Sequence, residues 1–202
     1  SAEGSAQRSD AALRRLVDNA GRAVDLQELR KLAGQYFRST LVHVRNSTGV
    51  PIRLKNKRME SGYFEDKVGP YTLKVPRELE PGAEAVFISR SRAFPPGGVE
   101  GEVAFTNRED EWVFKLSWVN GVLAGDDGRH CKTEVVDVDG QCTREGTVYP
   151  FRIYKDDDDQ TVNNEVYFHI KAVSETDAAA QEAGRSVVTP RGRSPSTADF
   201  LR

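Results

Sequence analysis

From Thr40 onward, apolar and polar residues alternate. In "LVHVRNSTGVPIRLKN", residues 41–56, Leu41, Val42 and Val44 stand against His43 and Arg45, "NSTG" supplies turn residues, and "VPIRLKN" resumes the pattern. A period of two sends successive side chains to opposite faces of a sheet, where a helix would repeat at 3.6. Pro51 falls early in its run, where a missing donor costs least. Further runs of this kind are "YTLKV", "AEAVFISR", "GEVAFTN", "EWVFKLSW", "KTEVVDV", "VYPFRIYK" and "EVYFHIKAV". The stretches between them, among them "EPG", "FPPGG", "NRED", "AGDDG" and "VDGQ", carry the Pro, Gly, Asn and Asp that turns require. About nine short strands at roughly even spacing predict a mainly β chain, an antiparallel β-sandwich over 39–173. Val44, Ile52, Leu54, Phe87, Val103, Phe105, Val113 and Phe114 are expected inside.

The segment ahead of the strands has a different period. Ser9 fits a helix cap, and Leu13, Leu16, Val17, Ala20 and Val24 recur at helical spacing. Asp25 fits a second cap, with Leu26, Leu29, Leu32, Ala33, Tyr36 and Phe37 on one stripe. An amphipathic helical segment is expected over 9–38, broken near Gly21 to Asp25, behind a frayed stretch 1–8. Its polar face sets Arg14, Arg15, Arg22, Arg30 and Lys31 against Asp18 and Glu28. A stripe of this size needs a cover, which its own sandwich, a partner chain or a lipid surface could supply. Leu13, Arg14, Arg15, Leu16, Leu29 and Tyr36 are the expected contact residues. After Val173 large apolar residues become scarce, so 174–202 reads as an irregular tail or docking arm. In it, Thr189 and Ser194 each precede a proline, the context of some phosphorylation sites.

Composition removes several function classes. The 202 residues carry a net charge of −2, with no basic surplus for nucleic acid. No apolar run approaches the ~20 residues of a membrane-spanning helix, so an integral membrane protein is not expected. The chain opens at Ser1 without a charged-then-apolar leader. That fits an organellar or secreted protein after removal of a targeting segment, and equally a cloning boundary. Three histidines and no Cys-x-x-Cys speak against zinc. A turn centred near Asp139 sets Cys142 opposite Asp137, not opposite Cys131, so no disulfide is expected. The run Asp156 to Asp159 reads as a solvated hairpin loop, and "DVDG" at 137–140 as a turn that lacks the later glutamate of a calcium loop. Asn46 fits a glycosylation sequon and, equally, an ordinary turn. There is no Gly-x-Ser-x-Gly elbow and no phosphate loop. His43 and His169 sit within strands, and His130 and Cys131 are neighbours that a strand sends to opposite faces. No catalytic residue, cofactor or enzymatic activity is expected.

Four stretches follow the helical segment in a distinctive order: "VHVRNSTG", "ESGYF", "LEPGAEAVFISR" and "GVEGEVAFTNREDEWVFKLSW". From Leu13 to Val173 this order resembles the actinoporin and aegerolysin-like sandwiches, a group of lipid-binding and pore-forming proteins. The resemblance implies a lipid-headgroup site at Ser61 and Ser117, with Trp118, Tyr149 and Tyr154 as aromatic faces for a quaternary ammonium. The sequence departs from the pattern at Val119, where a proline would stand, and at Asn120, where a tyrosine would follow. The Arg-Gly-Asp signature is absent, and the adhesive loop has become the acidic "VNGVLAGDDGRH". Paired arginines and several alanines in the helical segment do not suit a pore lining. Two functions remain: a non-catalytic module that associates with membrane lipid or a lipid-bearing complex, or an accessory subunit docked through its helix and tail.

Overall fold

The computed structural model describes residues 16–94, 97–107, 111–121, 129–137, 151–158 and 164–173. The chain is mainly β. Its elements are α1 (Leu26–Ala33), β1 (Ser39–Ser47), β2 (Ile52–Ser61), β3 (Tyr63–Phe64), β4 (Lys67–Val68), β5 (Tyr71–Thr72), β6 (Glu78–Leu79), β7 (Glu84–Arg90), β8 (Val99–Asn107), β9 (Trp112–Asn120), β10 (Arg129–Asp137), β11 (Phe151–Asp158) and β12 (Asn164–Ala172). One sheet runs β11-β12-β1-β7-β3 and the other β10-β9-β8-β2-β6, while β4 and β5 form a separate ribbon. Each of the nine strand runs in the sequence contains a strand. The two-residue strands β3, β4 and β6 are too short to show a period.

Among the described residues pairing is antiparallel with one exception: β1 and β12 run parallel, Thr40 beside Asn164 and Val44 beside Phe168. A wholly antiparallel sheet is therefore not what forms. The last long strand returns beside the first, a long-range pairing that no local pattern announces.

Inward residues of the two sheets form the main core. Val42, Val44, Phe87, Phe168 and Ile170 meet Ile52, Val103, Phe105, Phe114, Leu116 and Trp118. Leu54 is only partly buried against it. Val113 is buried but not in this core. It clusters with Ala104 and Val136, because it stands on the parity opposite to Phe114. Val113 is thus buried as expected, on the face of its sheet opposite to Phe114, as the pleat requires. Cys131 is buried in the main core and is not disulfide-bonded. Cys142, like Tyr149, lies outside the described residues.

The N-terminal segment is a cover on the outer face of the first sheet. Leu29 and Ala33, one turn apart on α1, pack with Leu41, Val86 and Ile88 of the sheet and with Val68, Tyr71 and Leu73. Thus β1 is buried on both faces. Helix does not extend over 9–38 as its spacing predicts. Among the described residues it is confined to Leu26–Ala33, capped by Asp25, whose side chain accepts from the backbone N–H of Gln27 and Glu28. The Asp18 carboxylate explains the difference: it accepts from the N–H groups of Ala20, Arg22 and Thr72 at 3.0, 2.7 and 2.9 Å. A side chain that satisfies local backbone donors this way competes with the helix. Its bond to Thr72 also ties the loop to β5, and its pKa is lowered, first by that bond.

The Asn46 side chain is fully buried and fully used. Its Nδ2 donates to the carbonyls of Val50 and Leu79, both at 2.8 Å, and its Oδ1 accepts from Thr48. In the folded chain this residue organises the β1–β2 turn and offers no acceptor for a glycan. Among the described residues no helix is long and apolar enough to cross a membrane.

Candidate functional site

The most organised polar cluster lies where α1 meets the first sheet. Period two brings His43 of β1, Glu84 of β7, and Glu165 and Tyr167 of β12 to the outer face beneath α1. His43 Nε2 lies 2.7 Å from a Glu165 oxygen, and its Nδ1 lies 3.3 Å from Glu84. Arg30 of α1 donates to both Glu165 oxygens, at 2.7 and 3.1 Å, and to the Tyr167 hydroxyl. That hydroxyl donates to Glu165 at 2.6 Å, and the Tyr167 ring stacks on His43 at 4.2 Å.

Charge follows from this geometry. Two carboxylates only accept, so a ring facing both must donate from both nitrogens. Burial opposes the charged imidazole, but the bonds to Glu165 and Glu84 outweigh it and hold the His43 pKa above the ordinary value. Burial likewise opposes ionised Glu165, yet hydrogen bonds from His43, Arg30 and Tyr167 pull it down to about 2. The Tyr167 phenol is pushed up to about 12, first by burial and then by Glu165. The ring is only 1% exposed with both nitrogens engaged, and His43 is linked through Glu165 to Arg30 of α1.

The other organised region is one end of the sandwich, where β1 begins and β7 ends. The Arg90 guanidinium lies between the rings of Tyr36 and Tyr63, at 4.4 and 4.5 Å, and its Nε donates to Glu65 at 2.7 Å. The Ser91 N–H donates to the Arg38 carbonyl at 3.0 Å, stitching the loop before β1 to the loop after β7. Arg38 Nη1 donates to Asn120 Oδ1, and Asn120 Nδ2 to the Ser39 carbonyl. Ser61 is also at this end, its hydroxyl donating to the Gly98 carbonyl at 2.8 Å. The adjacent Gly62 has φ +84°, and a Cβ there would collide with the Arg90 carbonyl. The Ser-Gly step is thus a backbone requirement.

On these two stitched loops stand Phe37, 55% exposed, and Phe94, 88% exposed. Besides Val17, they are the exposed large apolar side chains among the described residues. Arg38 lies 5.7 Å from the Phe37 ring, and Arg92 is exposed nearby in sequence. Sequence reasoning placed Phe37 on a helical stripe and gave Phe94 no role. The signal for Phe94 was an aromatic residue in a Gly/Pro-rich loop.

Among the described residues, Ser61, Ser117 and Trp118 are not gathered into one pocket. Trp118 is fully buried, packed near Phe64 and Phe87, and its indole N–H donates to Ser89 Oγ at 2.8 Å. It therefore presents no face to a ligand. Ser117, its neighbour on β9, points to the opposite face beside Lys132. Tyr154 is placed on β11 opposite His169. Of the expected partner contacts, Leu29 is fully buried within the chain, and Leu16 and Tyr36 pack against the same inner cluster. Leu13, Arg14 and Arg15 lie outside the described residues. Leu16, Leu29, Leu32, Ala33 and Tyr36 of the stripe thus pack within the chain, whereas Val17 and Phe37 are exposed. Among the described residues no cluster suited to a metal ion is present.

No family model and no curated protein matches the sequence. Solved structures do match. One is the lipid-binding protein Nakanori, 18% identical, with a TM-score of 0.57 over 72% of this chain and 78% of that one. Another is the RahU protein in complex with a TRIS molecule, 13% identical, with a TM-score of 0.51 over 69% of this chain and 98% of that one. At these identities the likeness is one of fold.

Proposed function

We propose that this protein is a non-catalytic β-sandwich that binds a lipid membrane surface through the end carrying Phe37 and Phe94. The observation that carries the reading is the exposure of two phenylalanines on stitched loops, 55% and 88%; among the described residues Val17 is the one other exposed large apolar side chain. Such rings are costly in water and gain by entering the interfacial region of a bilayer. Full burial of a phenylalanine is worth ~1.5–3 kcal/mol, so the exposed parts of the pair supply about 2–4 kcal/mol, or about one and a half to three powers of ten in binding. The rigid Arg90 stack and the Arg38–Asn120 bond fix the loops before contact, which limits the ordering cost.

The structural likeness to the lipid-binding protein Nakanori adds support, as does the resemblance of the sequence to the actinoporin and aegerolysin-like sandwiches. The headgroup contacts differ from those the resemblance implies. Ser61 stands at the proposed end, whereas Trp118 and Ser117 do not form a pocket with it. The locked His43 cluster supports the non-catalytic part. An accessory subunit docked through its helical segment and tail is the second reading; the burial of Leu29 and Ala33 of α1 within the chain favours the lipid surface over it.

The test is sedimentation with choline-headed vesicles. The unmodified protein should pellet with them, and the Phe37→Ser/Phe94→Ser double variant should lose at least tenfold in affinity with an unchanged melt. Equal binding by both would overturn the assignment of this end. No binding to choline-headed or anionic vesicles by the unmodified protein would overturn the lipid reading.

A further inference from the structure

We propose that the outer face of the first sheet holds a binding site for a tetrahedral oxyanion, a phosphate or sulfate group, at Arg45, Ser47, His169 and Lys171. Period two carries that face from His43 to Arg45 and Ser47 on β1, and from Tyr167 to His169 and Lys171 on β12. The parallel ladder sets Arg45 beside His169 and Ser47 beside Lys171. The four residues thus stand at the corners of a quadrilateral, about 5 Å across the strands and about 7 Å along them. His169 Nε2 lies 2.7 Å from the Ser47 hydroxyl, which ties one diagonal. Beyond the cover of α1, Arg45 and Lys171 are exposed, and Ser47 and His169 are half-buried.

The charge of this patch calls for an anion. Across the sheet from Arg45, its register partner on β7 is Glu84. Glu84 turns instead to His43, 3.3 Å away, and its pKa is lowered first by that bond. Among the described residues no carboxylate forms an ion pair with Arg45. Burial pushes the His169 pKa down, Lys171 and Arg45 push it further, and Glu84 opposes them. On the other side of β12 the register sets Tyr154 beside His169 and Arg152 beside Lys171, and the site requires neither. An oxyanion in the middle relieves this crowding of like charge, with a guanidinium and an ammonium to supply charge-assisted bonds. A protonated His169 ring donates to Ser47, whose hydroxyl proton is then left to donate to the anion.

The site is not the lipid contact. β1 runs away from the Phe37 end, and the nine residues from Ser39 to Ser47 span about 26 Å. Headgroups touched by Phe37 and Phe94 are out of reach, so the oxyanion comes from solution, free or carried on a soluble molecule. The proposal therefore stands or falls without the lipid reading.

Histidine-ring NMR of the unmodified full chain tests it, with His169→Gln assigning the resonance. At ~10 mM, inorganic phosphate or sulfate should raise the His169 pKa saturably, by about 0.5 or more beyond chloride at the same ionic strength. The His43 ring, with both nitrogens engaged, should move little. Arg45→Gln should weaken the anion's affinity about tenfold, the loss of one charge-assisted bond. Lys171→Gln, checked by circular dichroism, should do the same and covers the case in which the first variant disturbs the sheet. A rise that chloride reproduces would show screening alone and overturn the site, as would a phosphate effect that survives both substitutions. Phosphate at that concentration should leave vesicle binding unchanged; loss of vesicle binding would place the anion at the Phe37 end and overturn this location.

Discussion

Removing the Glu165 carboxylate should loosen α1 and tie stability to pH in a defined way. Glu165→Gln keeps the shape but leaves Arg30 and the buried His43 without their shared anion. The carboxyl is held at about 2 against an ordinary 4.5. At ~1.4 kcal/mol per unit this corresponds to about 3 kcal/mol, within the range for breaking one partner of a buried pair. For a chain of this length the melting temperature should fall by about 6–12 °C near pH 6. Because the folded pKa is depressed, the contribution of Glu165 is present above the unfolded value and fades as pH falls toward 2. Because the His43 pKa is raised, its contribution is present below the unfolded histidine value and fades as pH rises through the folded one. The wild type should therefore be most stable between about pH 5 and 6.5, with the variant's deficit narrowing toward pH 2–3. Thermal melts of both proteins from pH 2.5 to 9 read this directly. Equal melting temperatures at pH 6, or a deficit that stays constant to pH 2.5, would refute the clamp.

Other outcomes follow from the packing. Phe105→Ala, which empties a fully buried site in the main core, should cost ~3–5 kcal/mol in denaturant titration. Gly62→Ala should destabilise by ~1–2 kcal/mol or more, because φ is +84° and the new methyl meets the Arg90 carbonyl; a neutral result would mean the turn relaxes freely. Trp118→Phe should lose ~1–3 kcal/mol by leaving the Ser89 hydroxyl without its donor, while vesicle binding stays unchanged. Loss of binding in that variant alone would restore Trp118 as a lipid contact.

Much of the architecture was legible because strands announce themselves by parity. β1, β2 and β7 through β12 read as alternating runs, and the Asn-Ser-Thr-Gly turn between β1 and β2 reads from its residues. Parity also held an unused warning. Ser117 and Trp118 are neighbours on one strand and cannot line the same pocket, just as Val113 and Phe114 cannot both enter one core. The stretch 16–25 misled because apolar spacing there mimics a helix, while "DNAG" carries the turn chemistry that prevails once Asp18 has captured backbone donors from Ala20, Arg22 and Thr72. The His43–Glu165 pair was not legible: the residues come from opposite ends of the chain and meet only through the parallel β1–β12 pairing. Phe37 and Phe94 needed the fold to be seen as one end of the sandwich, because their loops meet only in three dimensions, through contacts such as the Ser91–Arg38 bond and the Arg90–Tyr36 stack.

The most direct measurement is the depth of Phe94 in a bilayer. A Phe94→Trp variant places an exposed indole at the proposed contact, whereas Trp118 is fully buried and Trp112, at the far end of β9, is partly buried against Phe151. With choline-headed vesicles carrying brominated acyl chains, emission from the new indole should be quenched strongly and that of the unmodified protein little. Vesicle binding with no added quenching from position 94 would contradict membrane contact through this end of the sandwich, and an absence of binding would contradict the lipid role altogether.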